Sequence, residues 1–346
     1  MQPYNNPIIE QDLKNIFENA PWEAFEGKSV LVTGANGHIA SYIVMALAFA
    51  VENGGKHIRI IVNSRNETRL RQMYAPLVGK DWFIIAASDI ASLNLKETPD
   101  YIFHFAGNAS PYFIANDPVG ILSANIGGTF NVCEMARRNP ECRVIYASSR
   151  EVYGENTTDE VLTETSFGRL DPLEPRSCYP ESKRAAESII EAYNRQFGIS
   201  FAVVRIAHCY GPGMKLENDG RVMSDFINDA VNKRDIRLNS TGEALRAFIY
   251  ISDVVVALLI IAATRTSEAW NLSNETEEIS VFELARTIAG ITGGIEVSRQ
   301  CKPVDGTVYT AYKRKPLDCS KLIALGWHPI VELTDGLART INSITD

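Results

Sequence analysis

Tyr179 and Lys183 stand four residues apart in the run CYPESKRAAESII, and Ser149 precedes them at the end of YASS. On a helix, positions i and i+4 lie on one face. An ammonium held beside a phenol lowers the phenol's pKa from its usual value of about 10. A tyrosine tuned in this way removes a proton from a hydroxyl near neutral pH. Tyr and Lys at this spacing are common in unrelated chains, so the meaning of the pair depends on the elements that position it.

The first of those elements is the segment GKSVLVTGANGHIASYIVMALAFAVENGG. Ser29 to Thr33 is a β-branched, apolar run that reads as a buried parallel strand. It leads directly into Gly34, Asn36 and Gly37. His38 and Ile39 then open an apolar-periodic helix that ends near Gly54 and Gly55. Glycines at a strand-to-helix turn let the backbone approach a pyrophosphate, which then sits on the positive helix N-terminus. Ala40 takes the place of the usual third glycine and is small enough for close helix–strand packing.

From residue 29 to about 206, strands and helices alternate, with strands expected near 29–33, 58–63, 82–87, 100–105, 143–148 and 200–205. The pattern is that of an α/β protein with a Rossmann-type doubly wound parallel sheet. Pro and Gly in CYGPGMK break the rhythm and start a smaller, discontinuous substrate-binding lobe. RAFIYISDVVVALLIIAA and the strand-like AWNLSN read as a return to the main domain. The expected division is a helical extension over 1–26, a dinucleotide-binding domain over 27–210 and 245–273, and the lobe over 211–244 and 274–346. Within 1–26, Ile9, Leu13, Ile16 and Phe17 fall at helical spacing, so a helix there packs on the core or on a second subunit. Trp22 and Phe25 read as packing anchors.

Composition narrows the classes. The 346 residues are 45% hydrophobic and 22% charged, with a formal charge of −8. That is the make-up of a soluble enzyme and argues against broad binding to nucleic acid or to an anionic membrane. Phosphates on a substrate must therefore be met by local arginines. No apolar run is long enough to cross a membrane, and the start lacks a signal peptide's pattern. The six cysteines (133, 142, 178, 209, 301 and 319) have no metal-like spacing, and the five histidines form no metal constellation. Buried free thiols in a reducing cytoplasm are the expectation, with no metal.

With the glycine loop, Ser149, Tyr179 and Lys183 in this order, the chain resembles the extended short-chain dehydrogenase/reductases that act on nucleotide-activated sugars, from about residue 27 to the C-terminus. TGANGHIA is similar to the family's TGxxGxxG cofactor loop. Asp89–Ile90 resembles the pair that contacts the adenine, Ala106–Gly107 in FHFAGNASP the loop after the fourth strand, and Asn125 a helix asparagine that supports the site. In this fold an acid closing the second strand usually binds the ribose and selects NAD. Here Asn63 stands at that place, and Arg65 close behind it could meet a 2′-phosphate. NAD is expected, with NADP left open.

The resemblance implies a shared half-reaction. Tyr179 accepts the proton of the sugar's 4-hydroxyl, Ser149 hydrogen-bonds the same oxygen, and Lys183 with the cofactor's positive charge stabilises the phenolate. Tyr179 and Lys183 thus also border the cofactor. The fate of the 4-keto sugar is read at Arg150 and Glu151. Glu151 argues against simple 4-epimerases, which carry small residues there. The thymidine-linked 4,6-dehydratases carry Asp-Glu, and Arg150 cannot replace that acid. GDP-mannose dehydratases and UDP-glucuronate decarboxylases carry Ser-Glu.

EPRSCYPESKR, ENDGRVMSDFI, RAFIYISD and KRKPLDCSKLIALGW resemble the decarboxylases' GPRxCYDEGKR, NDGRVVSNFI, RAFQYVSD and KRKPDIxKAKxxLGW. By that likeness Arg246 and Arg221 bind the nucleotide, Arg150 receives the sugar carboxylate, and His208 stands where an asparagine assists phosphate binding. Decarboxylation of a UDP-glucuronate-like substrate leads. A 4,6-dehydratase follows, then a 4-epimerase or 4-dehydrogenase. The same likeness implies a homodimer built from two helices of each subunit and a role in polysaccharide biosynthesis.

Overall fold

The computed structural model describes residues 6–156, 160–300 and 315–345. Cys301, Lys313 and Arg314 of the motifs above lie outside the described residues. In chain order the elements begin with α1 (Pro7–Asn19), β1 (Ser29–Thr33), α2 (His38–Glu52), β2 (Arg59–Ser64), α3 (Glu67–Met73), β3 (Phe83–Ala87) and β4 (Tyr101–His104). There follow α4 (Pro111–Asn116), α5 (Pro118–Leu122), a π-helical turn (Ser123–Gly127), α6 (Gly128–Ala136), β5 (Arg143–Ser149), α7 (Cys178–Phe197), β6 (Ser200–Ile206) and β7 (His208–Tyr210). The rest are α8 (Val222–Val231), β8 (Ile236–Leu238), β9 (Leu245–Tyr250), α9 (Ile251–Ala263), β10 (Glu268–Leu272), β11 (Glu278–Ser280), α10 (Val281–Thr292), β12 (Val297–Arg299), α11 (Ser320–Ile323) and α12 (Leu333–Thr345).

Seven strands form one sheet in the order β10-β6-β5-β4-β1-β2-β3. Every neighbouring pair is parallel. The order reverses at β1, which is the doubly wound arrangement expected from the alternating pattern. Alternation along the strands feeds two apolar layers. Val30, Val32, Ile60, Val62 and Phe103 join the layer of α1, α2 and α9. Leu31, Ile61, Ile102, Val144 and Tyr146 join that of α6 and α7. β10 is the AWNLSN strand, and it adds a seventh member beside β6.

The amphipathic helix α1 packs on this core, against α2 and α9, with Ile9, Leu13 and Ile16 buried. The side chain of Asn6 caps it by accepting from the N–H groups of Ile8 and Ile9. Trp22 and Phe25 are buried beside it. β9 joins a separate three-stranded sheet, parallel to β7 and antiparallel to β11. α9, which follows β9, returns to the main core.

Candidate active site

The carboxyl ends of β1, β4 and β5 converge where the sheet order reverses, the crevice in which open α/β sheets bind ligands. β1 ends at Thr33, and Gly34 follows at φ +64°. A Cβ on Gly34 would lie 2.7 Å from the carbonyl oxygen of Phe105, so only glycine lets these two backbones meet. Gly37 caps α2 without a side-chain hydrogen bond, which leaves the first amides of that helix directed out of the turn. A pyrophosphate fits this donor set. His38 is oriented differently. Its Nε2 lies 3.1 Å from the carbonyl of Pro212, and burial, reinforced by the charge of Arg221, holds its imidazole down at about 4. A neutral ring donates there and ties the cofactor turn to the CYGPG loop. Ile39 is half-buried on the same helix.

Asn63 is buried at the end of β2, and its amide donates to the carbonyls of Ala86 at 2.8 Å and Ser88 at 3.1 Å. That amide fastens β2 to the end of β3. Arg65 is exposed just beyond. Asp89 caps a short turn by accepting from Ala91 N–H at 2.9 Å, and Ile90 is buried beneath it. Ala106 donates to Thr33 Oγ1 at 3.1 Å, and Gly107 has φ +147°. A Cβ on Gly107 would fall 2.5 Å from Oδ1 of Asn125. Asn125 itself is fully buried in the π-helical turn.

Ser149 ends β5, its Oγ accepts from the N–H of Glu151 at 3.2 Å, and its hydroxyl is near enough to the Tyr179 phenol to favour the phenolate. Ser149 and Tyr179 are both buried, as is Lys183 one turn along α7. The Lys183 ammonium donates to the carbonyl of Ala147 at 2.7 Å and lies 5.9 Å from the centre of the Tyr179 ring. Here the structure departs from the spacing argument. Burial pushes the Tyr179 phenol up rather than down, and the Glu151 carboxylate pushes the same way. The Ser149 hydrogen bond and the charges of Arg221 and Arg176 work against that rise. Burial also lowers Lys183 to about 7, with Glu187 opposing. An i,i+4 spacing reports proximity and says nothing of desolvation, which dominates in this pocket.

Glu151 stands on the short helical turn after Ser149 and is gripped by Arg176, whose Nη2 lies 3.2 Å from each carboxylate oxygen. Arg176 was not singled out from the sequence, although EPRSCYP contains it. Arg150 donates to the carbonyl of Lys315 at 3.1 Å, tying Lys315 to the turn. Arg221 pairs with the buried Asp219 through Nε at 2.5 Å and Nη2 at 3.2 Å, close enough for its charge to reach Tyr179. His208 packs against Phe248 across the β7–β9 pair. Arg246, on β9, donates to the carbonyl of Leu245 at 2.8 Å.

Helix α7 holds the turn through more than Lys183. Arg184 donates to the carbonyl of Val152 at 2.7 Å and to that of Gly168 at 2.8 Å. Glu187 accepts from the Ser148 hydroxyl at 2.5 Å and from Arg205 at 2.7 Å.

Residues 30–273 match the model of the NAD dependent epimerase/dehydratase family. UDP-glucuronic acid decarboxylase 1 of Xenopus tropicalis is 33% identical over 91% of this chain and 72% of its own length. UDP-glucuronic acid decarboxylase 6 of Arabidopsis thaliana is 34% identical over 89% of this chain and 86% of its own. UDP-glucose 4-epimerase from Thermotoga maritima, solved with UDP-glucose, superposes with a TM-score of 0.76 at 24% identity, covering 92% of this chain and 98% of that one. UDP-glucuronic acid 4-epimerase from Bacillus cereus, solved with UDP-glucuronic acid and NAD, does so at 0.76 and 21%, covering 92% and 99%. At these identities the two structures speak to the fold.

Proposed function

The chain belongs to the NAD-dependent epimerase/dehydratase family, and from that premise we propose that it decarboxylates UDP-glucuronate to a UDP-pentose. The relatives named UDP-glucuronic acid decarboxylase, which align over most of the chain, support the substrate. NAD, the cofactor of the family, supplies reversible hydride acceptance at the sugar C4. The residues that would hold it are Gly34, Asn36, Gly37, His38 and Ile39 at the pyrophosphate, Asp89 and Ile90 at the adenine, Asn63 and Arg65 near the ribose, and Ala106, Gly107, Asn125, Tyr179 and Lys183 around the nicotinamide.

The chain's own residues do the remaining work. Tyr179 takes the 4-hydroxyl proton while Ser149 holds the same oxygen. The resulting ketone is β to the carboxylate. The C5–C6 bond then breaks, its electron pair passes into an enolate on O4, and carbon dioxide leaves. Hydrogen bonds from Tyr179 and Ser149 stabilise that oxygen. C5 then takes a proton and C4 is reduced, so one proton enters for each carbon dioxide released. Arg150 binds the sugar carboxylate before C6 leaves as carbon dioxide, and Arg221, Arg246 and His208 face the nucleotide phosphates.

The observation that carries decarboxylation over dehydration is the Glu151–Arg176 pair. Dehydration needs an acid to protonate a leaving hydroxyl. Arg150 cannot be that acid, and Glu151 is engaged through both oxygens. Decarboxylation of a β-keto acid needs none.

The test is incubation with UDP-glucuronate followed by mass analysis. Loss of the mass of carbon dioxide is expected, and Tyr179→Phe should cut turnover by about 10²–10⁴-fold while leaving NAD binding intact. An isobaric product would mean 4-epimerisation, and loss of water from a UDP-hexose would mean dehydration. Either overturns the proposal.

A homodimer through α5, α6 and α7 is part of the same proposal. Val119 on α5, Phe130 on α6 and Phe197 on α7 are 75%, 47% and 43% exposed, apolar side chains that a second subunit would cover. The five cysteines among the described residues are all free thiols, which supports a reducing compartment such as the cytoplasm. Among the described residues no helix is long and apolar enough to cross a membrane.

A further inference from the structure

One continuous chain of hydrogen bonds runs beneath the site through Thr33 at the end of β1, His104 at the end of β4, Thr129 in α6, Asn125 in the π-helical turn and Ser182 in α7. All five are fully buried. The backbone N–H groups of Phe105 and Ala106 both donate to Thr33 Oγ1, each at 3.1 Å. With two donors on that oxygen, the hydroxyl's own hydrogen is left for Nδ1 of His104, 2.9 Å away. Nδ1 is then an acceptor, and the ring carries its proton on Nε2. Nε2 donates to Thr129 Oγ1 at 3.3 Å, and the Thr129 hydroxyl donates to the Asn125 carbonyl at 2.5 Å. Asn125 passes the chain on through its side chain. Its Nδ2 donates to Ser182 Oγ at 3.0 Å, and the Ser182 hydroxyl donates to the backbone carbonyl of Tyr179 at 2.8 Å.

The two backbone donors on Thr33 Oγ1 set the direction of the His104 bonds, and the later bonds take theirs from carbonyl oxygens that only accept and an amide nitrogen that only donates. Burial, with the charge of Lys183 nearby, holds His104 down at about 3, so it stays neutral and the chain keeps its sense. Stability alone does not call for such an arrangement, because a buried polar network can be exchanged for apolar groups of like shape at little cost. Its two ends are informative. One is the turn where Gly34 lies against the backbone of Phe105, and the other is the residue that bears the phenol. We infer that this chain, with neutral His104 at its centre, fixes Tyr179 against the cofactor turn, making His104, Thr129 and Ser182 positioning residues for proton transfer. The inference rests on the reading of Tyr179 as the base.

Two measurements test it. In ¹⁵N-histidine-labelled protein, the NMR signals that vanish in His104→Gln should report a neutral ring protonated on Nε2 from about pH 5 to about pH 9. A ring protonated on Nδ1, or an imidazolium in that range, overturns the chain whatever the activity. In the holoenzyme, Thr129→Val and Ser182→Ala should each lower kcat by about 10–100-fold with KM for the UDP-sugar within about twofold. Thr129→Ser should restore the rate. The double variant should lose no more than the worse single one, since both interrupt the same chain. If kcat per folded molecule stays at the wild-type level while only Tm falls, the chain is structural and the inference fails. Tyr179→Phe run in parallel separates the two readings. Turnover that survives it removes the base assignment itself, whereas its loss together with full rates in the chain variants removes only the positioning role.

Discussion

Lys183 is buried with its ammonium on the carbonyl of Ala147, and burial lowers it from 10.5 to about 7. That shift of about 3.5 units corresponds to a destabilisation of about 5 kcal/mol at pH values below the folded-state pKa. The sign follows from proton counts. Between about pH 7 and about pH 10.5 the unfolded chain binds the lysine proton and the folded protein does not, so stability rises with pH across this window. From pH 7 to pH 8.5 the gain integrates to about 1.5 kcal/mol. Lys183→Met removes the titration and, after about 1 kcal/mol for the lost hydrogen bond, should leave the cofactor-free protein about 3 kcal/mol more stable at pH 7. The assay is urea unfolding of both proteins at one concentration and at several pH values in this range. Keeping below about pH 8.5 avoids the buried thiols, such as Cys133 and Cys142 at about 12, whose raised values act in the opposite direction above the ordinary thiol pKa. The wild-type and variant curves should converge as pH rises. Parallel curves would refute the claim that desolvation sets the charge of Lys183.

Gly34→Ala forces a left-handed φ on a residue with a Cβ and drives that atom onto the Phe105 carbonyl. It should cost at least about 1–2 kcal/mol in urea and weaken NAD binding measured by fluorescence titration. Arg150→Ser removes the guanidinium proposed to receive the sugar carboxylate, so KM for UDP-glucuronate should rise about 10-fold or more with a smaller change in kcat. An unchanged KM removes Arg150 from carboxylate binding. Phe130→Glu places a charge on the exposed face of α6 and should convert a dimer to a monomer in light scattering. A variant that leaves the wild-type mass unchanged excludes that face as the interface.

The fold was legible because its signals are local. Each of the six runs expected as strands between residues 29 and 206 became one within a residue or two of the expected bounds, and the glycine turn sits where the sheet order reverses. The exception is RAFIY, whose apolar run resembles the other strands but pairs in the small sheet with β7 and β11. A run shows that a strand forms, not which edge receives it. The same limit applies within the site. Ser149, Tyr179 and Lys183 could be found from type and spacing. The use of the Asn63 amide on β3, the grip of Arg176 on Glu151 and the line from Thr33 through His104 to Ser182 depend on which backbones end side by side. Those meetings join positions far apart in sequence, and no single segment encodes them.

The phenol at the centre of this site is therefore a poor base as the protein alone presents it, and that is informative about how its reaction is controlled. Burial and Glu151 both oppose the phenolate, while Ser149, Arg221 and Arg176 favour it. Arg176 acts twice, because the guanidinium that offers charge to Tyr179 also neutralises the carboxylate that opposes it. Arg221 lies at the cap of α8, outside the main sheet, with Asp219 fixing its guanidinium. Under the proposed function, a bound sugar nucleotide and the positive nicotinamide of NAD would fall among these same groups. The protein's own favourable contributions to the phenolate thus come from three places, and only Ser149, at the end of β5, stands on the main sheet. Under that proposal, such a site would keep Tyr179 protonated until cofactor and substrate are both in place, confining oxidation to the complex in which the carboxylate can also leave.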